Sequence, residues 1–195
     1  MDNFDCYIIT GNAGTGKTTA GNKIATAVGA ELLEAESIRR ELNIKEYRNT
    51  DTSMIVSILH DRIRGLIKSR SPAVYCRVYV SRETREESYK LIRDISEELG
   101  LAIKAVLVEC NCSEEVAKQR IRDREIPDDT HSHPNDPSVW DRIKGHEVPL
   151  CDDEIDNEPN FSFISYNSET SLVEEIRVRS THRSAVDMLK GIITQ

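Results

Sequence analysis

The chain has 195 residues, 38% hydrophobic and 31% charged, with a formal net charge of −8. This length suits one α/β domain with a sizeable core, and the acidic balance disfavours a long nucleic-acid footprint, which needs a basic face. A local basic pocket for a polynucleotide end or a small metabolite stays compatible with that charge. No apolar run approaches a membrane span, and Met1-Asp2-Asn3 lacks the charged and apolar regions of a signal peptide. Cys6, Cys76, Cys110, Cys112 and Cys151 follow no secreted disulfide pattern, so the expected address is the cytoplasm.

Tyr7-Ile8-Ile9 is too short for a helix and reads as a buried parallel strand. It runs into Gly11-Asn12-Ala13-Gly14-Thr15-Gly16-Lys17-Thr18, followed by Thr19, which fits G-x-x-x-x-G-K-[ST], the phosphate-binding P-loop. Glycines let the backbone turn tightly and bring its N–H groups to phosphate oxygens. Lys17 can reach the β- and γ-phosphates, and the Thr18 hydroxyl can ligate Mg²⁺. Ala20, Ile24, Ala25 and Val28 then recur at helical spacing up to Gly29, and the start of that helix adds its dipole to the same anion site.

Glu31-Leu32-Leu33 reads as a short strand and Glu36 to Leu42 as a short helix. Asn49-Thr50-Asp51 starts a helix with Ile55, Leu59, Ile63, Leu66 and Ile67 on one face, broken after Lys68 by Ser69-Arg70-Ser71-Pro72. Ala73 to Val80 is a strand; Ser81 caps a helix carrying Tyr89, Ile92, Ile95 and Leu99 and closed by Gly100. Ala102 to Val108 is a further strand, and Ser113 with Glu114 and Glu115 opens the next helix. From about residue 125 to 150, prolines, acids and histidines interrupt periodicity, which marks a lid with a short helix from Pro137 to Lys144 around Trp140. Cys151 to Asn160 reads as an acidic loop and Phe161 to Tyr166 as the last strand. Ser171-Leu172-Val173-Glu174 fits a capping box for a following helix, and Ser184 to Ile193 a final helix. The alternation implies a single domain over 1–195 with an open parallel sheet of about five strands and helices on both faces, its ligand at the carboxyl ends of the strands.

A P-loop alone says nucleoside triphosphate. The N-K-x-D signal of guanine switches is missing, and so are the strand ending in two acids and the extra helical domain of large ring ATPases. A small kinase or a binding module that has lost its chemistry remains. The chain resembles the small P-loop kinases that include polynucleotide kinase, zeta-type toxins and related small-molecule phosphotransferases. The likeness rests on Gly11 to Thr18, on Ala35 to Leu42, on Val108-Glu109-Cys110 with Ser113 to Arg124, and on Val139-Trp140-Asp141-Arg142 leading to Glu147-Val148-Pro149.

The resemblance implies a three-layer nucleotide-kinase-like fold with a small lid, and transfer of the γ-phosphoryl of Mg·ATP to a hydroxyl. It makes Glu36 the candidate base, Arg39 the candidate clamp on an anionic group of the acceptor, and Arg124 the arginine closing on the phosphates, with Arg120 and Arg122 left open. Lys17 would stabilise the transferred charge and Thr18 would serve the metal. Relatives commonly end the strand after the long helix with aspartate; here that place holds Arg77, so Glu36 or Glu109 takes the role, or Mg²⁺ relies on Thr18, phosphates and water, or Arg77 binds an acidic acceptor itself. The alternative from another class is a nucleotide-binding regulatory module without turnover. Cys110-x-Cys112 with His131, His133 and Cys151 matches no zinc spacing closely, and Trp140 reads as an anchor of the lid on the core.

Overall fold

The computed structural model describes residues 4–44, 49–124 and 135–195. Strand β1 (Cys6–Thr10) is buried at every position, with Cys6 and Ile8 in one apolar cluster and Tyr7 and Ile9 in another. A strand apolar on both faces belongs mid-sheet. It is flanked in parallel by β3 (Ala73–Cys76) and β4 (Ala105–Asn111), with Cys6 opposite both Ala73 and Ala105. Strand β2 (Leu32–Glu34) extends the sheet beyond β3, and β5 (Phe161–Asn167) extends it beyond β4, both parallel. Strand β6 (Leu172–Arg177) lies antiparallel on β5. Among the described residues this gives a six-stranded sheet in the order β2-β3-β1-β4-β5-β6. The expected five parallel strands are present, with one antiparallel strand added. Because the chain moves to opposite sides of β1 for β3 and β4, the carboxyl end of β1 is the switch point where such sheets bind ligands.

One face is covered by α1 (Lys17–Val28) and α8 (Arg183–Ile193). Their Ala20, Ile24, Val186 and Leu189 pack on Tyr7, Ile9, Val106 and Val108. The other face is covered by α2 (Ala35–Glu41), α3 (Asn49–Lys68) and α4 (Arg82–Leu99), which bring Ile38, Ile55, Leu59, Tyr89 and Ile92 onto Ile8, Tyr75 and Leu107. The α4 start is a reciprocal cap: Ser81 Oγ accepts from Thr84 N at 3.2 Å, and Thr84 Oγ1 accepts from Ser81 N at 3.3 Å. Short helices α5 (Glu114–Arg122), α6 (Ser138–Lys144) and α7 (Asp152–Asp156) lie around the carboxyl end of the sheet or on its flank.

Four expectations are corrected. Strand β3 stops at Cys76 instead of Val80, because β1 turns into the loop after Thr10 and no ladder partner remains. The Arg77 amide takes the last bond, to Ile9 O at 3.0 Å, and the Tyr79 amide bonds the Thr10 hydroxyl at 2.9 Å. Strand β4 begins at Ala105 and runs on to Asn111, beyond the expected Val108, because β5 pairs with it that far. Ser171 caps no helix: its φ of 57° is left-handed, not the extended backbone typical of a serine N-cap, and the residues after it form a strand that alternates exposed and half-buried positions. The Cys151–Asn160 stretch contains the one-turn helix α7, which buries Glu154 and Ile155.

Of the expected lid, 125–134, with His131 and His133, lie outside the described residues. Its latter part is tied down at both ends. At one end Asn12 Nδ2 donates to Trp140 O at 3.1 Å; at the other Val148 N donates to Val80 O at 2.8 Å. Trp140 is half-buried and lies under the ammonium groups of Lys118, 5.2 Å from the ring centroid, and Lys144, so it anchors α6 through a carbonyl and cation–π contacts and not in the apolar core.

Candidate active site

The loop after β1 is held by its surroundings. Gly11 has φ 135°, and a Cβ there would come 2.2 Å from Cys110 O at the end of β4. Gly14 has φ 77°, and a Cβ there would come 2.4 Å from Ala117 O of α5. Only glycine fits either place, so the loop backbone is pressed between a strand end and a helix. Asn12 organises the turn. Its carbonyl accepts Lys17 Nζ at 2.6 Å and Thr15 Oγ1 at 2.8 Å, and its Oδ1 accepts the Ala13 amide at 2.6 Å. Gly16 caps α1 in left-handed geometry, so the helix opens directly at Lys17 with its free amides toward the loop.

Lys17 is half-buried and its ammonium is enclosed. Burial pulls that ammonium below the ordinary lysine range; the Cys110 and Cys76 thiols and Glu36 oppose the shift, and Arg124 adds to it. Burial likewise lowers the half-buried Arg124 guanidinium, and Glu36 offsets that. Lys17, Glu36 and Arg124, taken from three separate stretches of sequence, are therefore coupled electrostatically. Glu36 stands in the first turn of α2; Arg39, one turn on, is 4% exposed.

Thr18 and Thr19 are exposed, and Thr18 Oγ1 donates to Glu34 Oε1 at 2.7 Å. A hydroxyl and a carboxylate placed together offer the hard oxygen donors that suit Mg²⁺. Glu34, at the end of β2, was missed by the sequence reading; its signal was Glu34-Ala35-Glu36, two acids at a strand's carboxyl end. Arg120, left open from sequence, lies against the loop: its Nη1 donates to Ser168 Oγ at 2.8 Å and to Gly14 O at 3.4 Å. Arg122 points elsewhere, to Gln119 Oε1 at 3.3 Å. Arg77 lies at the end of β3, over the Tyr79 ring and paired with Glu87 at 2.6 Å. Glu109, at the end of β4, is half-buried. Burial pushes its carboxyl above the ordinary range; Arg85 and Lys144 oppose this, and Glu147 and Glu154 add to it. Among the described residues no His/Cys/Asp/Glu cluster forms a metal cage, and no helix is long and apolar enough to cross a membrane.

Residues 7–149 match the sequence pattern of a family described as an AAA domain. The chain belongs to this family. The AAA domain match begins in β1, takes in the P-loop and ends just beyond α6. No curated protein sequence matches the chain. Similar folds include a sugar kinase from Janibacter sp. HTCC2649, at 16% identity and TM-score 0.56, covering 95% of this chain and 92% of that one. A protein from Chloroflexus aurantiacus described as a candidate kinase aligns at 13% identity and TM-score 0.62, over 98% and 99% of the two chains. A gluconokinase from Sinorhizobium meliloti aligns at 18% identity and TM-score 0.52, over 97% and 93%. At such identities these likenesses show the fold, and what this AAA domain chain does rests on its own site.

Proposed function

We propose that the protein is an ATP-dependent phosphotransferase that moves the γ-phosphoryl group to a hydroxyl of a small acceptor. The observation that carries this reading is the glycine-constrained phosphate loop, with the Lys17 ammonium held on the Asn12 carbonyl at 2.6 Å; the electrostatic coupling of Lys17 to Glu36 and Arg124 supports it. In the step, the acceptor oxygen forms a bond to the γ-phosphorus, the bond to the β–γ bridging oxygen breaks, and ADP leaves. The acceptor proton passes to the Glu36 carboxylate. Lys17 and Arg124 face the charge that spreads over the transferred group, where fixed cations in an enclosed site act most strongly. Arg120 and the loop amides hold the nucleotide in register. Thr18 and Glu34 would hold Mg²⁺, which when bound neutralises phosphate charge.

The test is transfer of labelled γ-phosphate from Mg·ATP to a panel of acceptors that includes a 5′-hydroxyl oligonucleotide, with Lys17→Ala as control. The expected result is label on an acceptor with the natural protein and none with the variant. Equal label with both would sink the scheme. Tight ATP binding with no transfer to any acceptor would favour a nucleotide-binding regulatory module instead.

A further inference from the structure

Two enclosed arginines near the site are treated differently by their surroundings. Arg85, whose side chain is 2% exposed, uses all three guanidinium nitrogens: Nε and Nη2 on Glu154, and Nη1 on the carbonyls of Val80 and Val148. Arg77, whose side chain is 16% exposed, uses one. Its Nη1 donates to Glu87 Oε2 at 2.6 Å and to Tyr79 Oη at 3.4 Å, and its Nε and Nη2 have no partner among the described residues. The stacked Tyr79 ring, 4.9 Å from the guanidinium carbon, holds the plane in place. A half-used, oriented fork is the geometry that receives a second anion in bidentate fashion. Glu87 is no rival for that edge: it is 42% exposed, and solvated pairs of this kind hold their partners weakly.

The location matters as much as the donors. Glu34 lies opposite Cys76 in the β2–β3 register, so the backbone of Arg77 leaves the sheet one residue beyond the end of β2, with its side chain on the α4 side against Glu87. Its amide bonds Ile9 O, and Tyr79 N bonds the Thr10 hydroxyl immediately before the phosphate loop. His60 on α3 has Arg77 and Glu87 as its leading charged neighbours, and its Nε2 is buried with no hydrogen-bond partner, a second polar atom left over on the same side of the sheet.

We infer that the free edge of the Arg77 guanidinium receives an acid group on the acceptor, so that the acceptor is a small anionic alcohol, a hydroxy acid or sugar phosphate, and not a neutral alcohol. The hydroxyl end of this inference rests on the phosphotransferase reading; the acid contact does not. Two measurements separate them. Binding of matched pairs (gluconate and glucose, glycerate and glycerol, glycerol 3-phosphate and glycerol) is measured by calorimetry in the presence of Mg²⁺ and a non-hydrolysable ATP analogue, and transfer from Mg·ATP is measured on the same pairs.

Binding of an acid-bearing probe is expected with little or none of its neutral partner, weakened about 10- to 100-fold in Arg77→Gln and partly restored in Arg77→Lys, as loss of a charge-assisted bond predicts. Analogue affinity should stay unchanged in both variants, which also reports that they fold. In transfer, Arg77→Gln should raise KM for the acid far more than it lowers kcat. Neutral probes bound or phosphorylated as well as acids, or no acid bound at all, overturn the inference while transfer to a neutral alcohol would keep the kinase reading. Arg77-dependent acid binding without transfer sustains the inference and removes that reading.

Discussion

Glu36 and Glu109 are both carboxylates at the carboxyl edge of the sheet, yet the site asks different things of them. Glu36 is coupled electrostatically to Lys17 and Arg124, the cations of the proposed transfer step. Glu36→Gln should therefore lower kcat by about 100-fold or more while ATP affinity changes little, which a kcat and Kd comparison reads directly. Equal losses in both would make Glu36 structural. Glu109 is desolvated first and compensated second, so its folded pKa lies above its unfolded one. A raised carboxyl contributes stability that is present below the unfolded pKa and lost as pH rises through the folded value. Glu109→Gln removes that loss. Its melting temperature should match the parent near about pH 4 and exceed it at neutral pH. A difference that does not vary with pH would contradict this assignment.

At the scale of elements, the Arg85–Glu154 pair joins pieces that no sheet ladder connects: α4, α7, the stretch after β3 and the stretch after α6. Tyr89 Oη adds a donor to Glu154 at 2.7 Å, so both charges are enclosed and satisfied. Removing one partner leaves the other buried and alone. Glu154→Leu should cost about 3–5 kcal/mol in urea unfolding, and pairing it with Arg85→Met should recover much of that loss. Such a pair was invisible in the sequence, where Glu154 was one acid among many. The P-loop was legible because phosphate binding dictates glycine, lysine and threonine at fixed spacing, and the α4 start because Ser81 and Thr84 cap locally. What escaped depends on partners far along the chain. Glu34 acquires meaning from Thr18, Arg120 from Ser168, and β6 from β5; the Ser171 motif suggested a helix because a left-handed φ leaves no mark in residue type.

Across the whole molecule, the family match stops at residue 149, but the apolar layer beneath the phosphate loop does not. Helix α8 lays Ala185, Val186, Leu189 and Ile193 into the cluster that contains Ala20 and Ile24 of α1, and Lys23 Nζ donates to Ile193 O at 3.3 Å. Strand β5 covers β4 along its full length. A chain cut after Pro149 should lose its cooperative melting transition and its nucleotide binding together. The milder Leu189→Ala should cost about 2–5 kcal/mol in urea unfolding without changing ATP affinity at temperatures where the protein stays folded.

The α8 packing also bears on how such a protein can drift over generations. Phosphate chemistry fixes particular side chains from Gly11 to Thr18, whereas α8 must supply only an apolar stripe at helical spacing. Descendants of this chain could exchange nearly every residue of that last helix and keep a working pocket, yet none could discard it. Its sequence would be the first to become unrecognisable and among the last that could be deleted.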